Sequence, residues 1–258
     1  MASLYRAIAG VCLVAFSGLQ SEAAGGKTYK WTAEKVTDDA YLSVKLARNG
    51  KLPVHINDVA VDEKLVTSLT EIVEGEEEVD EPNCRKLMEA KAEIKDVFYH
   101  VVESEGEPNY RQLLQASLNE GLEAFTNKEY PKSANEWQQI WAKDTGANLA
   151  YLLSSNSTTV GCVLGKCTSV QTSPPGPAGR NSETTVEMTL LICDLDPPAT
   201  KGQAPFDEDY FTGLIARTAQ LEDMTTDDLK TTNDGTSAAA VPAFVLSGLV
   251  AMLTAVSA

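Results

Sequence analysis

The apolar period of this chain changes once, and that change constrains the fold more than any single residue. From Asp39 to Trp141 the apolar residues return at helical spacing; from Thr159 to Cys193 they alternate. Spacing of i, i+3 and i+4 puts side chains on one stripe of a helix, whereas alternation puts them on one face of a strand. Helices are predicted from Asp39 to Arg48 and from Asp62 to Gly75, the latter with Leu65, Val66, Leu69, Ile72 and Val73 on one face. Further helices are predicted from Cys84 to about Lys95, from Tyr110 to Phe125 and around Trp137, Ile140 and Trp141. Asp39 and Asp62 can cap, and Gly50 and Gly75 can terminate. Val97 to Val102 reads as a strand, as do Thr159 to Cys167 and Thr184 to Cys193, the last with Val186, Met188, Leu190 and Ile192 on one face. Residues 168–183 between them hold Pro174-Pro175-Gly176-Pro177-Ala178-Gly179 and read as a long, flexible hairpin loop. Helices followed by a hairpin, without βαβ alternation, indicate an α+β domain.

The two ends read differently. Arg6 precedes a short apolar run, Ala7 to Leu19, and Ser21-Glu22-Ala23 offers small residues for a signal peptidase. Residues 1–23 are therefore expected to be a signal peptide. From Ala238 to Ala258 the chain is apolar and uncharged, preceded by the mostly small run Asn233-Asp234-Gly235-Thr236-Ser237. That order matches a glycosylphosphatidylinositol (GPI) attachment signal, with a short polar spacer. The expected layout is an ectodomain over 24–221, a flexible stalk over 222–235 and a removed signal over 236–258, with Gly235 the favoured attachment residue. The polar, Thr- and Asp-rich stretch from Glu222 motivates the stalk. The protein is expected on the outer leaflet of the plasma membrane, held by a GPI lipid.

Charge and cysteines narrow the function. A net charge of −16 opposes nucleic-acid phosphates and a polybasic lipid contact. Cys12 lies in the signal peptide, which leaves Cys84, Cys162, Cys167 and Cys193. Four cysteines in an oxidising compartment predict two disulfides, with three possible pairings. Asn156-Ser157-Thr158 is an N-glycosylation sequon. Arg180, inside the Pro/Gly/Ser-rich stretch 171–183, is a candidate processing point. The acidic run Glu76 to Glu81 reads as a solvated loop. The chain lacks a G-x-G-x-x-G, a Walker loop, an H-E-x-x-H and a G-x-S-x-G.

Residues 160–206 carry Gly161-Cys162, Cys167, Cys193 and Pro197-Pro198, and upstream stands Leu46-Ala47-Arg48-Asn49-Gly50-Lys51-Leu52-Pro53. This arrangement resembles the CAP superfamily of cysteine-rich secretory proteins, insect antigen 5 and plant pathogenesis-related proteins. Asp194-Leu195 stands where that family has Asn-Tyr, and the Gly-Asn after its prolines is absent. The resemblance implies a CAP-like α-β-α sandwich, with helices around a small, mostly antiparallel sheet. It also implies the pairings Cys167–Cys193 and Cys84–Cys162. The family's two metal-binding histidines fall at Val44 and Asn148, and His55 and His100 lie outside the motif. Neither Val44 nor Asn148 can replace an imidazole, so no metal, cofactor or catalytic residue is expected. The acids Asp194, Asp196, Asp207, Glu208 and Asp209 read as a solvated face.

A CAP-like domain with a signal peptide, an acidic surface and a GPI tail is similar to the surface antigen (SAG) family of Eimeria, a coccidian parasite. That resemblance implies an antigen displayed on invasive stages, met by a host-cell surface molecule or by antibody, without catalysis. Two alternatives are a CAP-type lipid or sterol carrier and a hydrolase. The hydrolase would need a nucleophile–base pair.

Overall fold

A computed structural model describes residues 27–103, 106–172 and 182–230 of the chain. Its elements are β1 (Lys27–Lys35), α1 (Asp38–Asn49), β2 (Ala60–Val61), α2 (Glu63–Glu74), α3 (Cys84–Ala90), β3 (Phe98–Val101), α4 (Tyr110–Leu122), α5 (Ala134–Trp141), α6 (Asp144–Leu152), β4 (Thr159–Thr172), β5 (Ser182–Asp196) and α7 (Glu208–Ala216), with short 3-10 turns between them. The class is α+β. The sheet order is β1-β4-β5-β3, with β1 antiparallel to β4 and β3 antiparallel to β5. β2 pairs in parallel with Thr159–Val160 at the start of β4.

The described chain divides into two compact units. The first comprises β1, α2, α3, β3, β4 from Gly161 and β5 up to Asp194. Asp62 opens α2 by accepting from the Lys64 N–H at 2.8 Å, so the predicted cap is the observed one. Val66, Leu69 and Val73 of α2 join Trp31, Val163, Leu190 and Ile192 in one core. Burying each such side chain contributes roughly 1.5–3 kcal/mol. The predicted helix from Cys84 breaks at Lys91, which is buried. Its Nζ donates to the carbonyls of Ile72 and Gly75 at 3.0 and 2.5 Å, satisfying the end of α2.

The disulfides are Cys84–Cys167 and Cys162–Cys193, so the pairings Cys167–Cys193 and Cys84–Cys162 are corrected. Strand parity supplies the reason. Cys162 and Cys167 differ by an odd number of positions, so they lie on opposite faces of β4. Cys167 shares the core face with Val163 and meets Cys84 at the start of α3. Cys162 faces the other way and lies 4.1 Å (Cα–Cα) from Cys193, the spacing of a directly opposed cross-strand pair.

The second unit holds α1, β2, α4, α5, α6 and α7. Arg48, with no exposed surface, sits near the end of α1. Its Nη1 donates to the Leu152 carbonyl at 2.7 Å, and its Nη2 donates to Asn57 and Ser154 at 2.9 and 3.0 Å. A longer contact reaches Ser157 at 3.4 Å. Leu152 and Ser154 lie at the negative end of α6, where a cation is favoured. The end of α1 is capped from elsewhere in the unit: Arg217 Nη1 donates to Leu46, Ala47 and Gly50, and the Tyr210 hydroxyl donates to the Arg48 carbonyl at 2.5 Å. At the start of α1 the cap is Thr37 rather than Asp39, which instead accepts from Arg111 Nη2 at 3.2 Å.

Two segments differ from expectation. The hairpin strands extend to Thr172 and from Ser182, so the loop is shorter than 168–183; Arg180 lies outside the described residues. The segment from Glu222, expected as a stalk, is folded through Leu229. It forms 3-10 turns at Leu221–Asp223 and Thr226–Leu229, with Leu221 and Met224 fully buried. The ectodomain boundary expected at 221 therefore falls inside ordered structure. Composition hid this because two apolar anchors suffice when backbone partners are ready. The Leu221 N–H donates to Gln115, and Arg111 donates to the Met224 carbonyl at 2.7 Å. Among the described residues no helix is long and apolar enough to cross a membrane. The expected signal peptide and the tail with Gly235 lie outside them.

Candidate functional site

Among the described residues, the second unit holds a groove of about 540 Å³ between the turn at Thr126–Lys128, α5 and α7. Its formation follows from local sequence. Asn127 and Lys128 both take positive φ, 55° and 53°, a conformation that side-chain residues adopt at some cost and that reverses the chain after Phe125. Pro131 then precedes Ser133, which opens α5 through a reciprocal capping box with Glu136. Asp207 caps α7 by accepting from the Tyr210 N–H at 2.8 Å.

The floor is aromatic and aliphatic: Phe125, Phe211, Ile140 and the half-exposed Ile215. Phe125 and Phe211 rings lie 4.9 Å apart, and Trp137 meets Phe125 edge-on at 5.8 Å. Such contacts fix ring positions beyond simple burial. Tyr130 donates its hydroxyl to the Phe206 carbonyl at 2.8 Å, and burial raises its pKa. That bond fixes it as part of the wall. The rim carries both signs. Lys132 pairs with Glu208, Lys143 donates to the Ala124 carbonyl at 2.9 Å, and Glu136 is held below the usual carboxylate range by the Lys132 and Ser133 hydrogen bonds of its cap. Lys128 and Glu129 complete the rim. An apolar floor with a charge-balanced rim suits a short amphipathic group. The lining contains neither histidine nor cysteine.

The residues singled out from sequence do not converge here, apart from Glu208. Val44 is fully buried on α1, and Asn148 is buried on α6. His55 Nε2 lies 3.1 Å from the Leu52 carbonyl in a local turn, while His100 is half-buried on β3 opposite Leu191. They belong to different units. Among the acids, Asp207 is a helix cap and Glu208 an ion-pair partner, while the Asp196 backbone carbonyl accepts from the Thr158 N–H. No group of three or more His, Cys, Asp or Glu able to hold a metal occurs among the described residues. Asn156 is exposed in the turn after α6, between Ser154 and Ser157, whose N–H donates to Ser154 at 3.3 Å. Sequence reasoning missed the groove because one wall, α7, was not predicted. Its available signal was Asp207 ahead of Tyr210, Phe211 and Leu214, a cap followed by helical spacing.

Comparisons with known proteins bear on the whole chain. A search of curated proteins returns no match. Among solved structures, the crystal structure of the Eimeria tenella surface antigen protein SAG19 is similar at 18% identity and a TM-score of 0.40, over 72% of this chain and 97% of that one. A likeness at that level adds no argument about the fold. The profile of the sporozoite surface antigen (SAG) protein domain matches residues 55–228, which includes most of both units and the turns once expected to be stalk. By that match, the chain belongs to the sporozoite surface antigen family.

Proposed function

We propose that this protein is a GPI-anchored cell-surface antigen of an invasive parasite stage, displayed for contact with host-cell molecules or antibody and acting without catalysis. The observation that carries the reading is the family match over residues 55–228. The apolar run 238–258 behind small residues, with attachment at Gly235, supplies the membrane link, and residues 1–23 supply entry to the secretory pathway. We also read the ectodomain as CAP-like, on the cysteine and proline pattern from Gly161 to Pro198. In the same compartment Asn156 is the candidate glycan acceptor and Arg180 the candidate processing point, the alternative being an intact loop. A mass shift removed by peptide N-glycosidase checks the first. Two bands appearing only under reduction check the second.

The groove beside α7 is the surface we assign to ligand contact. Purified ectodomain should bind host cells saturably, and Ile215→Glu or Lys128→Glu should weaken that binding severalfold while leaving the circular dichroism spectrum intact. Absence of saturable binding contradicts the host-contact reading. The lipid-carrier alternative draws on the aromatic floor of the same groove. Stoichiometric lipid in mass spectra of extracted protein would favour it.

A further inference from the structure

We infer that the face of the second unit around Lys51, Asp227, Asp228 and Lys230 rests against the lipid headgroup layer, because no more than eight residues, 230–237, separate the turn at Thr226–Leu229 from the apolar run at Ala238. This rests on the proposed membrane attachment, though not on its chemistry. The turn at Thr226–Leu229 is fixed to the end of α1. The Lys51 N–H donates to the Asp228 carbonyl at 2.8 Å, Lys51 Nζ lies 3.6 Å from the Asp228 carboxylate, and buried Met224 packs over Gly50. A Cβ on Gly50 would stand 2.5 Å from Met224 Sδ, so the clip leaves no slack.

Residues 230–237 separate that clip from the apolar run at Ala238. Fully extended they reach at most about 27 Å, and any attachment between Asn233 and Ser237 shortens the reach. A tether of that length holds its exit face towards the bilayer. The local charge suits the contact. Lys51 pairs with Asp228 and Lys230 with Asp227 at 2.8 Å, so on a chain of net charge −16 the two lysines of this face are matched by acids. A zwitterionic headgroup layer meets no excess of one sign at these pairs.

The test uses full-length protein on intact cells, treated with a bulky amine-reactive poly(ethylene glycol) ester and mapped by peptide mass. Labelling is compared between anchored protein, protein released by phosphatidylinositol-specific phospholipase C and protein in detergent. Lys51 and Lys230 should label severalfold more slowly in the anchored state, relative to Lys128 and Lys132 of the same unit. An insertion of about 30 Gly/Ser residues after Thr232 should abolish the difference, since reach grows with linker length. Equal ratios in all states, or protection that survives the insertion, overturns the inference. Failure of the lipase with protection still lost in detergent overturns the GPI chemistry but supports the short tether, because a spanning tail from Ala238 leaves the same spacer.

Discussion

Replacing Arg48 with methionine removes a buried cation and leaves three carbonyls, from the loop at Asn57 and the end of α6, without their donor. The guanidinium makes close bonds to Leu152, Asn57 and Ser154 at 2.7–3.0 Å, each worth roughly 1.5–3 kcal/mol to a charged donor. Burial opposes this. It pulls the Arg48 pKa down to about 10, with Tyr210 and Asp58 pushing the other way. The unfolded chain therefore holds the proton more tightly, and that cost, about 3 kcal/mol, is present in full at every pH below about 10. Nε, buried without a partner, adds to the opposing side. Methionine keeps the volume but not the donors, so the expected net loss is about 3–5 kcal/mol, the usual range for stranding one side of a buried charged network. Urea unfolding with both disulfides intact reads it. With a slope near 2 kcal/mol per molar, the midpoint should fall by about 1.5–2.5 M. A fall below about 0.5 M at unchanged slope would refute the claim that Arg48 ties the unit together. Lysine should rescue little, because one ammonium cannot span the same carbonyls.

Unreduced peptide mapping should yield Cys84–Cys167 and Cys162–Cys193; a Cys167–Cys193 peptide contradicts the structure. In the chain-entropy picture the separations of 83 and 31 residues make the first bridge worth about 4.5 kcal/mol and the second about 3.7 kcal/mol, so the Cys84/Cys167 double serine variant should lose more stability than the Cys162/Cys193 one. Gly50→Ala should cost about 1–3 kcal/mol and expose residues 221–229 to protease, because its Cβ would meet both Met224 Sδ and the Leu46 carbonyl; unchanged protection counts against the clip. Tyr210→Phe should cost about 1–2 kcal/mol by stranding the Arg48 carbonyl. Burial raises the Tyr210 pKa above its ordinary value near 10, so its contribution is full below that pH and is lost as pH rises beyond it. The phenylalanine variant should show a shallower alkaline loss than wild type, measured by denaturation midpoints across that range.

The elements that were legible in sequence are those whose apolar residues face one way. α2 shows Val66, Leu69 and Val73 on a stripe opposite charged residues, and α4 and α5 behave similarly. α6 was not legible because Gly146 and Asn148 to Leu152 are all buried, which erases the stripe. β1 escaped notice because Lys27, Lys30, Glu34 and Lys35 interrupt its alternation. Its pairing with β4 spans most of the chain and has no local signature. The disulfide partners depended on which face of β4 each cysteine occupied. The pairing borrowed from the resemblance overrode that parity. The groove needed α7, the left-handed pair Asn127–Lys128 and the aromatic packing together, and of its lining only Phe125 and Ile140, as helix residues, and Glu208, as one of the acids, stand out in the sequence.

The proposed display on the outer face of a membrane is most directly tested on intact, unpermeabilised cells stained with antibody to the folded units. Surface signal should be present without permeabilisation and should pass into the medium after phosphatidylinositol-specific phospholipase C, under conditions where a control GPI protein is released. Signal that appears only after permeabilisation would contradict display at the cell surface, and surface signal that resists the lipase would contradict the GPI anchor.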